Sequence, residues 1–169
     1  MPDIFHVDMS GKIERLEYIS VACINARTKE HNGCIVRPSM LRDIGKRLCK
    51  GSLKDLPIQR AKLYAILTYI LIENNTSQVQ RLIICWDEDF YHVKAYLIAL
   101  LNKIGLNIDI VSIRELRMIS GAHIRSLADN RSRSYRRRGM NRCRHGKGAN
   151  LNVVHISYDE IKNLWNSLD

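Results

Sequence analysis

The order of secondary-structure elements is clearest between Arg81 and Ile113, in the run RLIICWDEDFYHVKAYLIALLNKIGLNIDIVSI. Arg81–Trp86 is apolar after its first residue, which is typical of a central strand covered on both faces. The apolar residues that follow recur with a helical period that Gly105 ends, and Asn107–Ile113 returns to a strand pattern. A strand, a helix and a strand of these lengths predict a right-handed βαβ unit with two parallel strands. The helical apolar positions are Val93, Tyr96, Leu97, Leu100, Leu101 and Ile104.

Three short strands are predicted before this unit. Asp3–Val7 is a short apolar run, and Leu16–Ile24 is rich in β-branched and apolar residues. An Asn-Gly pair, a strong hairpin signal, leads to a third strand over Cys34–Arg37. The residues 8–11 are interpreted as a turn between the first two strands. Tight turns between successive strands predict an antiparallel meander.

Helical patterns occupy much of the remaining chain. Residues 39–50 and 57–74 predict two helices, and the second is apolar nearly all round, so we expect it to be buried. From Glu115 to Arg138 the pattern is helical again, with a break expected at Ser120-Gly121. The candidate core positions of this last stretch are Leu116, Ile119, Ile124 and Leu127.

The chain is expected to end in one more strand, Leu151–Ile156, and a last helix that Ser157 and Glu160 cap. The elements together predict an α/β fold with a mixed sheet of five or six strands flanked by helices. We expect strand 3–7 to lie beside strand 81–86 in that sheet.

Length and composition limit the classes of protein that fit. With 169 residues the chain is expected to form one domain, and its net charge of +10 suggests a polyanionic partner, although solubility alone would also explain it. The longest apolar run, Leu63–Ile72, is too short to cross a bilayer, so no membrane partner is expected. Neither a signal peptide nor a paired C-x-x-C motif is present, which favours a cytoplasmic protein with reduced thiols.

Positive charge is concentrated late in the chain, where residues 131–147 contain no acid. We interpret this segment as a basic, partly flexible arm that binds the nucleic-acid backbone without reading sequence. The alternative is a solvated surface turn. The residues expected to bind nucleic acid are Arg131, Arg133, Arg136, Arg137, Arg138, Arg142, Arg144 and Lys147.

Acidic residues stand where the predicted strands end. Asp8 follows the first strand, Asp87 and Asp89 follow the central strand, and Asp129 lies in a late helix. The carboxyl ends of adjacent strands converge on one crevice, and clustered carboxylates suit Mg²⁺ or Mn²⁺. Each acid also has a structural alternative: a turn former at Asp8, a helix cap at Asp87 or Asp89, and an ion pair with Arg125 or Arg133 at Asp129.

The order of these elements resembles the ribonuclease H-like (retroviral-integrase-like) superfamily. Its members carry acids on the first strand, after the fourth strand and on the last helix, which Asp8, Asp87 and Asp129 match. The opening Asp8-Met9-Ser10-Gly11 is similar to the Asp-Glu-Ser-Gly of some uncharacterised prokaryotic families of this superfamily, with Met9 in place of Glu. Those families also have a late Ala-Asp pair like Ala128-Asp129. The candidates for a further acid are Asp43, Asp55 and Glu73.

The resemblance covers residues 3–138. It implies a ribonuclease H-like domain over residues 1–138. We expect residues 139–169 to add the basic arm, and a C-terminal strand and helix that pack on the same domain.

The expected function is metal-dependent hydrolysis of phosphodiester bonds in RNA or DNA, with Asp8, Asp87 and Asp129 as catalytic residues and Asp89 as a further metal ligand. A PIN- or NYN-like nuclease is one alternative, although PIN-like domains pass from their first strand into helices. A nucleic-acid-binding protein without catalysis is another, and a homodimer remains open. His123 is a candidate proton shuttle. No base-stacking platform is expected, because aromatic residues make up 7% of the chain.

Overall fold

The computed structural model describes residues 3–74, 79–120, 126–140 and 151–169. The strands are β1 (Asp3–Ser10), β2 (Ile19–Asn25), β3 (His31–Val36), β4 (Val79–Ile84) and β5 (Asp109–Ser112). The helices are α1 (Pro38–Arg47), α2 (Pro57–Glu73), α3 (Phe90–Lys103), α4 (Ile113–Ser120), α5 (Asp129–Gly139) and α6 (Tyr158–Ser167), and short 3₁₀ turns cover Ile13–Arg15 and Leu53–Asp55.

The five strands form one mixed sheet in the order β3-β2-β1-β4-β5. The first strand is antiparallel to β2 and parallel to β4, and β5 is parallel to β4. This confirms the predicted α/β class, the meander and the βαβ unit, and it is consistent with a ribonuclease H-like layout. It also confirms that β1 and β4 are neighbours, so the residues at the carboxyl ends of these two strands lie close together.

Two sequence predictions about strand ends are corrected. The first strand continues through Ser10, because Met9 pairs with Val21 and Ser10 with Ser20, so residues 8–10 are not a turn. The chain reverses only from Gly11, whose φ of +85° favours glycine. The expected strand 151–156 is reduced to one bridge, in which Val153 lies parallel to Gly33 at the edge of β3.

One face of the sheet carries the main apolar core. Phe5, Val7 and Met9 alternate along β1 toward this face, and all three are buried. Helix α2 packs on β2 and β3 there, and it also contacts α3 and α6, so residues 61–72 are buried all round. The expectation of a buried second helix is confirmed.

The opposite face is lined by small and polar side chains, and α5 covers it. His6, Asp8 and Ser20 lie on this face and are buried, as is Ser132 of α5. A Cβ atom on Gly33 would lie 2.6 Å from the ring of Tyr135, so the absence of a side chain there allows the helix to approach the sheet. This close packing brings the start of α5 to the end of β1.

The late part of the chain differs from its predictions in two ways. Residues 131–139 form most of α5, which confirms the helical pattern expected as far as Arg138 and removes these residues from the partly flexible arm expected over 131–147. Among the candidate core residues, Ile119 is 84% exposed and Leu127 is 41% exposed, while Leu116 is half-buried. Helix α4 packs mainly against β5 and leaves its outer side to solvent. Ile124 lies outside the described residues.

The final helix packs against α2. Its Trp165 is buried, and the ammonium of Lys62 lies 4.6 Å from the centre of that ring. Within the part of the chain that the structure describes, no helix is long and apolar enough to span a bilayer.

Candidate functional site

Asp8 and Asp87 meet because β1 and β4 are parallel neighbours. Asp87 stands three residues after β4, and the amide of Cys85 between them donates to the carbonyl of Val7. The amide of Met9 lies 2.9 Å from Asp8 Oδ1 and 3.3 Å from Asp87 Oδ2, so both carboxyl groups accept from it. The sequence prediction that strand adjacency unites these two acids is confirmed.

The loop that carries Asp87 is anchored to the beginning of α2. The guanidinium of Arg60 lies 3.1 Å from Glu88 Oε2, and it also donates to the carbonyls of Leu53 and Lys54. Both partners of the Arg60–Glu88 pair are largely buried, which fixes the loop against the body of the domain. Sequence patterns gave no sign of this pair, since its members stand 28 positions apart.

The surroundings of the two carboxyl groups raise the pKa of both. Burial, followed by the charge of Asp129, raises the pKa of Asp8. Burial and then the charge of Asp8 raise the pKa of Asp87 to about 8. Asp87 is exposed as a whole residue, so the adjacent charge of Asp8 is the cause that the geometry supports more directly. At neutral pH the pair therefore retains a proton unless a cation replaces it.

Asp129 is the first residue of α5 and lines the same crevice. Its Oδ2 lies 3.3 Å from the Arg133 guanidinium, which is one of the ion pairs that its sequence allowed. Ser132 connects the helix to the strand: its hydroxyl donates to the Asp129 carbonyl at 2.9 Å and lies 3.5 Å from Asp8 Oδ2. The structure thus gathers all three predicted acids, with the third turned toward an arginine.

The crevice around these acids has a volume of about 540 Å³ and a rim of arginines. Burial and then the charge of Asp8 raise the pKa of the Cys85 thiol, which favours its neutral form over the nucleophilic thiolate. Positive charge at the rim and negative charge at the floor suit a phosphate bridged to the carboxylates by a cation. The lining comprises Asp8, Cys85, Trp86, Asp87, Ile113, Arg114, Arg117, Ser126, Asp129, Asn130 and Arg133.

The other acidic candidates lie elsewhere. Asp89 caps α3, where its carboxylate accepts from the amides of Tyr91 and His92. This helix-capping role is the structural alternative to metal binding that was considered for Asp89. The candidates for a further acid, Asp43, Asp55 and Glu73, are absent from the described lining of the crevice.

The acids of the crevice offer oxygen ligands to a divalent cation. Within the described residues, no group of three or more His, Cys, Asp and Glu side chains is arranged to hold a metal ion. Mg²⁺, however, often binds through one or two carboxylates and completes its shell with water and substrate phosphate. The Asp8–Asp87 pair meets this requirement of one or two carboxylates. Asp129 is not placed to serve as a third protein ligand in this arrangement.

The predicted basic residues divide into several groups. The Arg136 guanidinium has structural partners, since it donates to the Tyr18 carbonyl at 2.7 Å and lies 3.4 Å from the Glu17 carboxylate. Arg131 is half-buried near His31, and Arg133 lies at the crevice. Arg137 and Arg138 are exposed, and Arg138 lines a second groove of about 760 Å³ together with Arg37. The remaining predicted residues, Arg142, Arg144 and Lys147, lie outside the described residues, as does His123.

An aromatic cluster at the mouth of the crevice was not predicted. The ring of Trp86 lies 5.5 Å from Phe90 and 5.6 Å from Tyr91, and the Arg114 guanidinium lies 4.8 Å from its centre. The distance along the chain between Trp86 and Trp165 gave no sign of this cluster. The run WDEDFY, which places three rings within six residues after a strand, was the available signal.

Comparisons of the chain with protein-family models, with curated proteins and with solved structures gave no match.

Proposed function

We propose that this protein is a nuclease that hydrolyses phosphodiester bonds with a divalent cation, Mg²⁺ or Mn²⁺, held by Asp8 and Asp87. The observation that carries the proposal is the joint binding of both carboxyl groups to the Met9 amide inside a crevice rimmed by arginines. The adjacent carboxyl groups of Asp8, which is buried, and Asp87 repel each other when both are ionised, and a bound cation relieves that repulsion. The net charge of +10 supports nucleic acid as the substrate class.

The acids and the arginines of the crevice have distinct roles in this proposal. Asp8 and Asp87 provide the negative floor, and the Met9 amide fixes their direction. Arg114 and Arg133 attract the phosphate backbone, and Asp129 holds Arg133 in place at 3.3 Å. When bound, a divalent cation supplies an activated water and polarises the phosphate oxygens.

The direct test measures cation binding and cleavage in parallel. We expect Mn²⁺ or Mg²⁺ to raise the melting temperature of the wild type and to permit cleavage of labelled RNA or DNA strands, which a chelator stops. Asp8→Asn and Asp87→Asn should remove both effects while leaving stability without metal unchanged or slightly higher, because a repelling charge is lost. Asp55→Asn, in an exposed acid outside the crevice, is the matched control.

The outcomes separate the proposal from its alternatives. Large destabilisation by Asp8→Asn in chelator would mean that this acid is a structural cap. Binding of nucleic acid that is equal in chelator and in Mn²⁺, without any cleavage, would favour the alternative of a binding protein. The PIN- or NYN-like alternative is disfavoured because β2 and β3, not helices, follow β1.

A further inference from the structure

The aromatic cluster beside the carboxylates is open to solvent on one side. It consists of Trp86, Phe90 and Tyr91, with Arg114 against the tryptophan ring. Phe90 is buried and anchors the cluster in the core, Trp86 is half-buried, and Tyr91 is 67% exposed. An aromatic side chain this exposed contributes little to the core, so packing alone does not account for it.

The position of the cluster relates it to the proposed chemistry. Trp86 immediately precedes Asp87, and both line the crevice together with Arg114. Trp86 and Tyr91 stand edge to face, at an interplanar angle of 88°, so the cluster continues from the crevice wall to the exposed surface of α3. Arg114 brings positive charge to the same place as the aromatic surface.

We propose that Trp86 and Tyr91 form a stacking platform for an unpaired nucleobase adjacent to the phosphate at the Asp8–Asp87 pair. This inference rests on the proposed function and narrows its substrate to single-stranded or locally unpaired nucleic acid. A base stacks on an aromatic ring only when its own face is free, which a duplex does not offer. Arg114, whose guanidinium lies 4.8 Å from the centre of the Trp86 ring, then supplies positive charge for the phosphate next to the stacked base.

Intrinsic fluorescence provides a readout that cleavage does not. The chain has two tryptophans, and Trp165 is buried at 2% exposure, so a bound base should quench Trp86 selectively. The probes are an oligothymidylate of about 12 nucleotides and a blunt-ended duplex of similar length without unpaired bases, titrated in chelator so that no cleavage occurs. The titration is made with the wild type and with Trp165→Phe, in which Trp86 is the only tryptophan, and the exciting light has a wavelength that tyrosine does not absorb.

We expect the single strand to quench Trp86 and to bind more tightly than the duplex. Tyr91→Ala should weaken binding of the single strand by roughly 5- to 100-fold, as for the loss of a stacked base, and Tyr91→Phe should restore it. Ile98→Ala, which removes another exposed apolar side chain of α3, should leave the affinity unchanged. Because Tyr91 lies at the surface, its variants test the platform even where Trp86→Ala fails to fold.

An unchanged dissociation constant of Tyr91→Ala, or equal quenching by strand and duplex, would overturn the platform. The two proposals fail separately. Quenching in chelator without cleavage in Mn²⁺ would retain the platform and refute the nuclease. If cleavage depends on metal and Tyr91→Ala changes neither the affinity for the single strand nor the KM of cleavage, the nuclease is retained and the platform is refuted.

Discussion

Asp87 follows β4 by three residues, yet its carboxylate reaches the Met9 amide that Asp8 also binds, at 3.3 Å and 2.9 Å respectively. One backbone donor therefore serves two acids. The arrangement is costly when both acids are ionised, which makes the site sensitive to protons and cations.

Stability without metal is expected to fall as pH rises. The pKa of Asp8 is raised in the folded state, and that of Asp87 is raised to about 8, above their values in the unfolded chain. Between about pH 4 and about pH 8 the folded state therefore binds more protons than the unfolded state, so the free energy of unfolding decreases across that window. Thermal melts in chelator should show this decline, and Asp87→Asn should flatten it.

Adding Mn²⁺ should restore stability most strongly at the upper end of that window, where protons no longer compete for the carboxylates. Parallel pH profiles for the wild type and Asp87→Asn would contradict the raised pKa of Asp87.

Strand adjacency was accessible from the sequence because it follows from a general rule. In an open α/β sheet the carboxyl ends of adjacent strands converge on one crevice, so the expected adjacency of β1 and β4 placed Asp8 and Asp87 together from the sequence alone. The end of β1 was not accessible, since Met9 and Ser10 remain extended only because β2 offers Val21 and Ser20 as partners.

Helix α5 shows what could and could not be predicted for the basic segment. Its helical pattern was recognised as far as Arg138, whereas its packing against the sheet was not. Its composition is that of a solvated arm, and only Ser132 and Tyr135 are buried against the sheet. Two buried positions in eleven residues give a weak periodic signal, and their packing depends on the small Gly33 in a distant strand. Such complementarity between a helix and a sheet face is not encoded in local sequence pattern.

Gly33→Ala is expected to destabilise the protein by about 1 to 3 kcal/mol, because the new Cβ would lie 2.6 Å from the Tyr135 ring and force α5 away from the sheet. Cleavage should also decline, since α5 carries Asp129 and Arg133. Gly51→Ala, whose Cβ would meet only Leu56 at 3.4 Å and a carbonyl at 3.9 Å, is the control in a thermal melt. Equal melting temperatures for both variants would mean that α5 adapts freely.

The buried ammonium of Lys62 leads to a further prediction about stability. Its side chain is 3% exposed, and it lies 2.5 Å from Asp169 Oδ1. Asp169→Ala should cost about 1 to 3 kcal/mol, because it leaves a buried cation without its counterion. Lys62→Met should be nearly neutral, and adding it to Asp169→Ala should recover most of the loss in urea unfolding. Additive losses in the double variant would exclude coupling between the two side chains.

The exposed arginines of α5 are expected to contribute to nucleic-acid affinity through phosphates alone. Arg137 and Arg138 are both exposed, whereas Arg136 is committed to Tyr18 and Glu17. Each phosphate contact contributes roughly −0.7 to −0.9 to the slope of log K against log salt, so Arg137→Ala combined with Arg138→Ala should flatten the slope by about 1.5. Unrelated sequences should weaken equally, because phosphate contacts carry no sequence information.

Arg136→Ala is the informative contrast, since it should lower the melting temperature while changing the salt slope little. The measurement is a salt titration of binding in chelator, with melting curves for each variant. A slope that stays at the wild-type value in the Arg137 and Arg138 double variant would assign both guanidinium groups to solvent. Among the described residues, the nucleic-acid surface would then be sought at the crevice, where Arg114 and Arg133 supply positive charge.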